Sequence, residues 1–314
     1  MFKALIIGCG NIGAMYDFES ESVLTYAKAF NNDPEISFVV YDTNYQVAEK
    51  VAQRYRVQAL QILIPETFNE YDIIAICTPT SSHYDYLSKM LKHGPRLVIC
   101  EKPVDSAQIH LDKIIDLYSK SNTKVMVNFF RRFQPGIIKL KNEISNVLTQ
   151  EACTNIVVIY QRGFHNNASH AIDLLEYILG STFDLSEAQI THKIFDEFDT
   201  DPTMSLSCSL NDVSVQFVGL AKVEFSHLDI KIYFKSKALF LKDGGNHVEW
   251  YAIAPKTGNF YPKLEIQSRR TGIVENYMDN VVSHAKFMLK SNDKNSNFLQ
   301  SVSISQRILK LLGR

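Results

Sequence analysis

The sequence predicts an α/β protein of two parts. An N-terminal Rossmann dinucleotide-binding domain spans 1–127, and a C-terminal α/β domain with a large, open, mainly antiparallel sheet spans 128–314. Three observations predict it. The turn Gly8-Cys9-Gly10-Asn11-Ile12-Gly13 follows the apolar run Ala4-Leu5-Ile6-Ile7 and opens a helix, the strand–turn–helix setting that cradles a pyrophosphate. Up to about residue 125, short β-branched runs alternate with helical periods, as in parallel strands covered on both faces. Beyond residue 128 successive strand patterns with turn residues take over.

In chain order, strands are expected at 3–8, 36–41, 72–77, 96–100 and 124–127, with helices near 25–31, 44–55, 82–93 and 106–119. The third helix carries Tyr86, Met90 and Leu91 on one face, and the fourth carries Leu111, Ile114, Ile115 and Tyr118. Ser81 or Ser82 can cap the third, and Asp105-Ser106 the fourth. The acidic, serine-rich stretch 17–22 interrupts the first crossover and reads as a surface insertion or, alternatively, a lid. The second part opens with a helix at 134–148, a strand at 153–160 and a helix at 169–179. Strands at 206–210, 213–218, 222–234, 238–241 and 247–253 follow, with hairpin turns at Asn211-Asp212 and 243–246. Helices return at 273–290 and 298–312, joined by a polar loop over 291–297.

Composition narrows the function. A net charge of −1 removes any general attraction to nucleic acid or anionic membrane. Apolar runs fall short of the ~20 residues that span a bilayer, and the first is too short for a signal peptide. Five scattered cysteines lack metal-ligand spacing and read as reduced thiols, so a cytoplasmic protein with no metal is expected.

Two groups of residues carry chemistry. In the first part, Gly8 permits a tight turn, Gly10 admits the pyrophosphate, and Gly13 lets helix and strand pack, with Asn11 and Ile12 offering backbone N–H groups. Asp42 ends the second strand, 29 residues after Gly13, where a carboxylate binds the adenosine ribose and repels a 2′-phosphate. NAD is therefore expected rather than NADP. Thr78, Pro79, Thr80 and His83 follow the fourth strand, and Glu101-Lys102-Pro103 follows the fifth, at the strand ends where α/β sheets bind ligands. A fixed ammonium at Lys102 would stabilise alkoxide charge during hydride transfer. Arg131, next to Arg132, reads either as an anion-binding residue or as one of a solvated pair. In the second part, Arg162, His165, Asn166, His170 and Asp173 crowd a loop and helix start, with His170 and Asp173 on one helical face. Ser169 can be that helix's N-cap.

With these motifs in view, the chain resembles the glucose–fructose oxidoreductase / inositol dehydrogenase / rhizopine-catabolism family of NAD(P)-dependent sugar dehydrogenases. The glycine turn, Thr78-Pro79…His83, Glu101-Lys102-Pro103 and His170…Asp173 carry the resemblance. It implies a cis Lys102–Pro103 bond, Lys102 beside substrate and nicotinamide, and His170 as the proton acceptor. It implies a sugar or polyol substrate. The open sheet of the second part would need covering, which points to a homodimer or homotetramer. The family pattern has aspartate four residues before the histidine, where this chain has Asn166. Asparagine can orient an imidazole but carries no charge. The stretch 165–170 is similar to relatives associated with bacterial surface-sugar synthesis. The rival reading is a non-catalytic, dinucleotide-dependent binding or regulatory protein.

Overall fold

The computed structural model describes residues 1–254, 261–291 and 296–314. Of the loop expected at 291–297, residues 292–295 lie outside the described residues. The chain forms two compact units. One comprises Met1–Phe133 and Asn276–Leu309, with Arg314; the other comprises Gln134–Glu275, with Lys310–Gly313.

The first unit is built on a six-stranded parallel sheet: β1 (Phe2–Ile7), β2 (Ile36–Tyr41), β3 (Gln58–Leu60), β4 (Ile73–Ile76), β5 (Leu97–Cys100) and β6 (Lys124–Val127). The order is β3-β2-β1-β4-β5-β6, a doubly wound arrangement whose connections reverse at β1. The runs Ile73–Ile76 and Leu97–Cys100 are buried at every position, because helices cover both faces. Successive residues of β1 serve opposite faces: Ala4 and Ile6 join one core cluster, Leu5 and Ile7 the other. The first is covered by α1 (Tyr26–Asn32) and α2 (Tyr45–Tyr55), the second by α3 (His83–His93) and α4 (Gln108–Lys120). The short β3 was not anticipated; three residues are too few to show a period.

The first crossover departs from expectation. The glycine turn leads into a five-residue π-helical segment, Asn11–Met15, and α1 starts only at Tyr26. The intervening stretch exposes Glu19, Ser20 and Glu21 at the surface but is pinned at both ends. Asp17 is fully buried and accepts hydrogen bonds from Leu24 N (2.6 Å), Thr25 N (2.9 Å) and Thr25 Oγ1 (2.7 Å). Phe18 packs edge-on against Tyr55, with Lys50 Nζ 4.9 Å above its ring.

The second unit carries α5 (Pro135–Leu148), β7 (Cys153–Tyr160), α6 (Ser169–Leu179), β8 (Phe183–Ile194), β9 (Thr203–Leu210), β10 (Val213–Gly219), β11 (Leu228–Phe234), β12 (Lys237–Lys242), β13 (His247–Ile253) and β14 (Leu264–Arg270). Its eight strands are ordered β14-β13-β12-β11-β7-β10-β9-β8, and of the neighbouring pairs only β7 and β10 run parallel. The β9–β10 turn holds Asn211 and Asp212 at φ 46° and 65°, the two left-handed residues of a tight hairpin. The strand expected from 222 begins at Leu228, since Lys222 sits at φ 59° in a turn. β14 lies on a sheet edge with most residues exposed, which removes the apolar alternation that betrays a strand.

The chain then returns to the first unit. Met278, Val281, Val282 and Ala285 of α7 (Tyr277–Lys290) enter the core cluster of α1 and α2. Phe298, Val302 and Leu309 of α8 (Phe298–Leu311) enter that of α3 and α4. A simple 1–127 and 128–314 division therefore differs from the observed units, because an apolar helical stripe does not say which sheet it will cover.

Candidate active site

Register sets the first unit's site. Ile7 pairs with Tyr41 and with Ile76, Ile76 with Cys100, and Cys100 with Val127. The strands end level, so Gly8, Asp42, Cys77-Thr78, Glu101 and Asn128 emerge side by side along one edge.

Two of the three glycines are required by the protein's own packing. Gly8 has φ +95°, and a Cβ there would lie 2.8 Å from the Cys77 carbonyl carbon. A Cβ on Gly13 would lie 2.1 Å from Gly8 O. Gly10 differs. It is exposed, its φ of −75° suits any residue, and a Cβ would meet nothing within 4 Å. What its bare backbone leaves is an open cradle at the sheet edge, and this fits a dinucleotide pyrophosphate. The first bond of the segment runs from Ala14 N to Gly10 O (2.9 Å), so the N–H groups of Asn11, Ile12 and Gly13 precede it as the donors a phosphate would use. A five-residue segment has little macrodipole, so the backbone N–H groups themselves are what it offers a phosphate.

Asp42 does not cap α2; Asn44 does, accepting from Gln46 N at 3.2 Å. One Asp42 carboxylate oxygen accepts from Cys9 N (2.8 Å) and the other from Asn44 N (2.8 Å). The carboxylate is half-buried, and each oxygen retains a lone pair for ribose hydroxyls. Burial, then the Asp42 charge, pushes the Cys9 thiol up to about 12, so it stays neutral.

After β4, neither serine caps α3. Ser82 Oγ lies 2.8 Å from both Thr78 Oγ1 and Pro79 O, closing a 3₁₀ turn over Thr80–Ser82. Pro79 is exposed and Thr78 and Thr80 half-buried. His83 is buried, with Nδ1 2.9 Å from Pro103 O and Nε2 2.8 Å from Thr78 O. Burial lowers its pKa, and the ring ties two strand-end loops together.

Glu101 has a similar setting. It is buried, and its Oε1 accepts from Tyr26 Oη (2.9 Å) and Asn128 Nδ2 (2.7 Å). Lys102 follows, half-buried, with a cis bond to Pro103 as the resemblance implied. Asp105 does not cap α4 either. Its Oδ1 accepts from Ala107 N (2.8 Å) and lies 3.0 Å from His110 Nδ1. Arg131 and Arg132 are buried in a 3₁₀ turn rather than solvated, and the Arg131 guanidinium lies 4.4 Å over the Phe130 ring.

In the second unit, residues 164–168 form a π-helical segment leading straight into α6. Asp201, which the sequence reading missed, holds its start: its two oxygens accept from His165 N (2.8 Å) and Asn166 N (2.7 Å). Gly163, at φ +79°, must be glycine, since a Cβ would fall 2.3 Å from Asp201 Oδ2. Asp201 lies 38 residues beyond Gly163, and an Asp-Pro pair in a loop has no local signal for this role. Ser169 is not the N-cap: α6 follows Ala168 without a side-chain cap. Asn166 and His170 are half-buried, while His165 and Asp173 are buried. Asn166 Nδ2 donates to Arg162 O at 3.2 Å. Arg162 is exposed and its guanidinium pairs with Glu197 (2.7 Å).

A family model described as an oxidoreductase family with an NAD-binding Rossmann fold matches residues 2–129. Inositol 2-dehydrogenase of Rhizobium meliloti is 28% identical over 142 residues, 45% of this chain and 40% of that protein. The chain's match thus spans less than half of that relative's length. Among solved structures, UDP-N-acetylglucosamine 3-dehydrogenase of Acidithiobacillus ferrooxidans superposes with a TM-score of 0.73 at 15% identity, covering 99% of this chain and 95% of that one. A super-repressor mutant of Gal80p from Saccharomyces cerevisiae gives 0.74 at 15% identity, covering 99% and 94%. At such identities these two structures speak for the fold alone. Over residues 2–129, where the glycine turn, the level strand ends and the cis Lys102–Pro103 turn share one edge, the chain matches the model of that oxidoreductase family with an NAD-binding Rossmann fold.

Proposed function

We propose that the protein is an NAD-dependent oxidoreductase acting on a CH–OH carbon of a sugar, polyol or sugar derivative. The observation that carries this reading is the open cradle at Gly10 on the same strand-end edge as Asp42 and Lys102. Gly8, Gly10, Asn11, Ile12 and Gly13 would hold the pyrophosphate, Asp42 the adenosine ribose, and Thr78–Thr80 the neighbouring part of the cofactor. Bound nicotinamide supplies the hydride acceptor. Lys102 stabilises negative charge on the reacting oxygen, and His170 takes the hydroxyl proton. Asn166 orients His170 or the substrate, and Asp173 and Arg131 serve substrate binding.

The name of one relative, an inositol dehydrogenase, favours a polyol, while a sugar derivative and a part in bacterial surface-carbohydrate synthesis rest on the resemblance of the stretch 165–170. In the second unit, one sheet face carries Val157, Ile159, Tyr233 and Phe240 half-buried and Val218 39% exposed, which supports a homodimer or homotetramer through that sheet. Asn166 in place of an aspartate favours a second reading, a regulatory protein that binds dinucleotide without turnover.

Titration with NAD followed by a panel of inositols, hexoses and nucleotide sugars separates the two. The enzyme yields the absorbance of reduced nicotinamide. Tight NAD binding without turnover on any member, in either direction, would favour the regulatory reading.

A further inference from the structure

We propose that Asp201 is a positioning residue: with Pro202 and Thr203 it grips four consecutive backbone N–H groups, from Gly163 to Asn166, and thereby sets where Asn166 and His170 stand at the start of α6. The catalytic consequence rests on the dehydrogenase reading above, whereas the grip itself does not. The two short runs meet in reverse order. Gly163 N donates to Thr203 Oγ1 (3.0 Å), Phe164 N to Pro202 O (2.9 Å), His165 N to Asp201 Oδ1 (2.8 Å) and Asn166 N to Asp201 Oδ2 (2.7 Å). The first bond inside the π-helical segment runs from Asn167 N to Gly163 O, so the N–H groups before it have no partner within the segment and need one outside. Asp201 and Thr203 are buried, which makes unmet donors there costly.

The grip is itself anchored. Thr203 Oγ1 donates onward to Asp196 Oδ1 (2.9 Å), and Asp196 Oδ2 accepts from Lys222 N (3.0 Å) in the β10–β11 connection. Tyr160 Oη, at the end of β7, bonds both Met204 N and Met204 O at 2.8 Å. From the other side, Asn167 Nδ2 donates to Gln161 O (2.6 Å) and Asn166 Nδ2 to Arg162 O (3.2 Å), while the buried Phe164 ring packs on Phe217 with centroids 5.4 Å apart. The loop carrying Asn166 is thus held from within and from without, and it runs unbroken into the first turn of α6, where His170 lies. A carboxylate suits position 201 because each of its oxygens meets one N–H and both bonds are charge-assisted. An amide there would turn its own N–H₂ toward one of the two donors. A small shift of these two backbone groups moves a candidate base and its neighbour together, and misplacement on the ångström scale is enough to slow a proton transfer.

Asp201→Asn tests this, since it keeps the side chain's size and one acceptor. In folded protein, well below the unfolding midpoint, kcat should fall roughly 10- to 100-fold while NAD affinity stays within about twofold. A lower midpoint in denaturant with wild-type kcat would make Asp201 a stabilising residue only and overturn the proposal. Turnover depends on the dehydrogenase reading, so a second measurement uses no substrate. Amide hydrogen exchange and imidazole carbon-13 NMR on the full chain report the grip and its effect separately. In the wild type, the amides of residues 163–166 should exchange at least about a hundredfold more slowly than unprotected ones. Fast exchange there would sink the idea even if Asp201→Asn fails to fold. In Asp201→Asn, the His165 and Asn166 amides should lose that protection and the His170 ring signal should shift. A His170 signal that stays in place while the amides open would show that Asp201 positions nothing, whether or not any sugar turns over.

Discussion

At the scale of single residues, the structure turns several polar side chains inward that the sequence offers as ligand contacts. His83 and Glu101 are the clearest cases, since each makes its short bonds to neighbouring protein groups. On the proposed reading Asp42 does both kinds of work. It holds Cys9 N yet keeps lone pairs for a ribose, and its charge opposes a 2′-phosphate. Asp42→Asn retains an acceptor for Cys9 N and loses the charge, so the ratio of NADP to NAD dissociation constants should fall by about tenfold, ~1.4 kcal/mol. Calorimetric titration with both cofactors measures it, and an unchanged ratio removes Asp42 from cofactor choice. Lys102→Met should lower kcat by roughly 10²–10³ while NAD binding stays within about twofold, the pattern of a group acting on the reacting oxygen. Equal loss of cofactor affinity would instead make Lys102 a binding residue. His170→Asn should cut kcat by roughly 10²–10⁴ if its imidazole is the base. Asn166→Asp puts a carboxylate one helical turn before His170. Negative charge there favours the protonated ring, so the base is lost at higher pH and the acidic limb of the rate profile should move upward. A limb that stays in place, in folded protein, would put the proton acceptor elsewhere.

At the scale of elements, the glycine turn separates structural need from ligand need. Gly13→Ala drives a Cβ to 2.1 Å from Gly8 O and should destabilise the first unit by about 1–3 kcal/mol, read as a lower midpoint in denaturant. Gly10→Ala meets nothing within 4 Å, so its midpoint should match wild type while NAD affinity falls at least about tenfold. Full NAD affinity in Gly10→Ala would show that the cradle is not where the pyrophosphate sits. The spacing of the glycines was legible in the sequence, but the division of labour among them was not, because it depends on where Cys77 lies on the next strand. The same holds for helix starts. Serines and aspartates before α3, α4 and α6 look like caps, yet all three helices begin without a side-chain cap. Those side chains are claimed by local turns: Ser82 bonds Thr78 and Pro79, Asp105 accepts from Ala107 N, and Ser169 donates to Asn166 O.

At the scale of the whole molecule, α7 and α8 are the main surprise. Met278, Val281, Val282, Met288 and Leu289 are buried in the first unit's core. At ~1.5–3 kcal/mol per buried large side chain, losing them removes roughly 10 kcal/mol, comparable to the entire stability of a domain. A fragment ending at residue 133 should therefore fail to fold, and circular dichroism with a denaturant titration would register no cooperative transition. A cooperative, NAD-binding 1–133 fragment would contradict this. What the sequence determined by itself was local and periodic: the parallel α/β character of the first part, the glycine turn, the strand-end placement of Asp42 and Lys102, and the hairpins of the second part. Those follow from side-chain period and from residues that tolerate unusual backbone, and both are written in adjacent positions. Only the tertiary structure decided that Asp201 anchors Asn166, that Tyr26 and Asn128 hold Glu101, that residues 17–25 are pinned by a buried aspartate, and that the last helices belong to the first sheet. In most of these cases the deciding partner is tens to hundreds of residues away, and a hydrogen bond or apolar contact carries no mark of sequence distance.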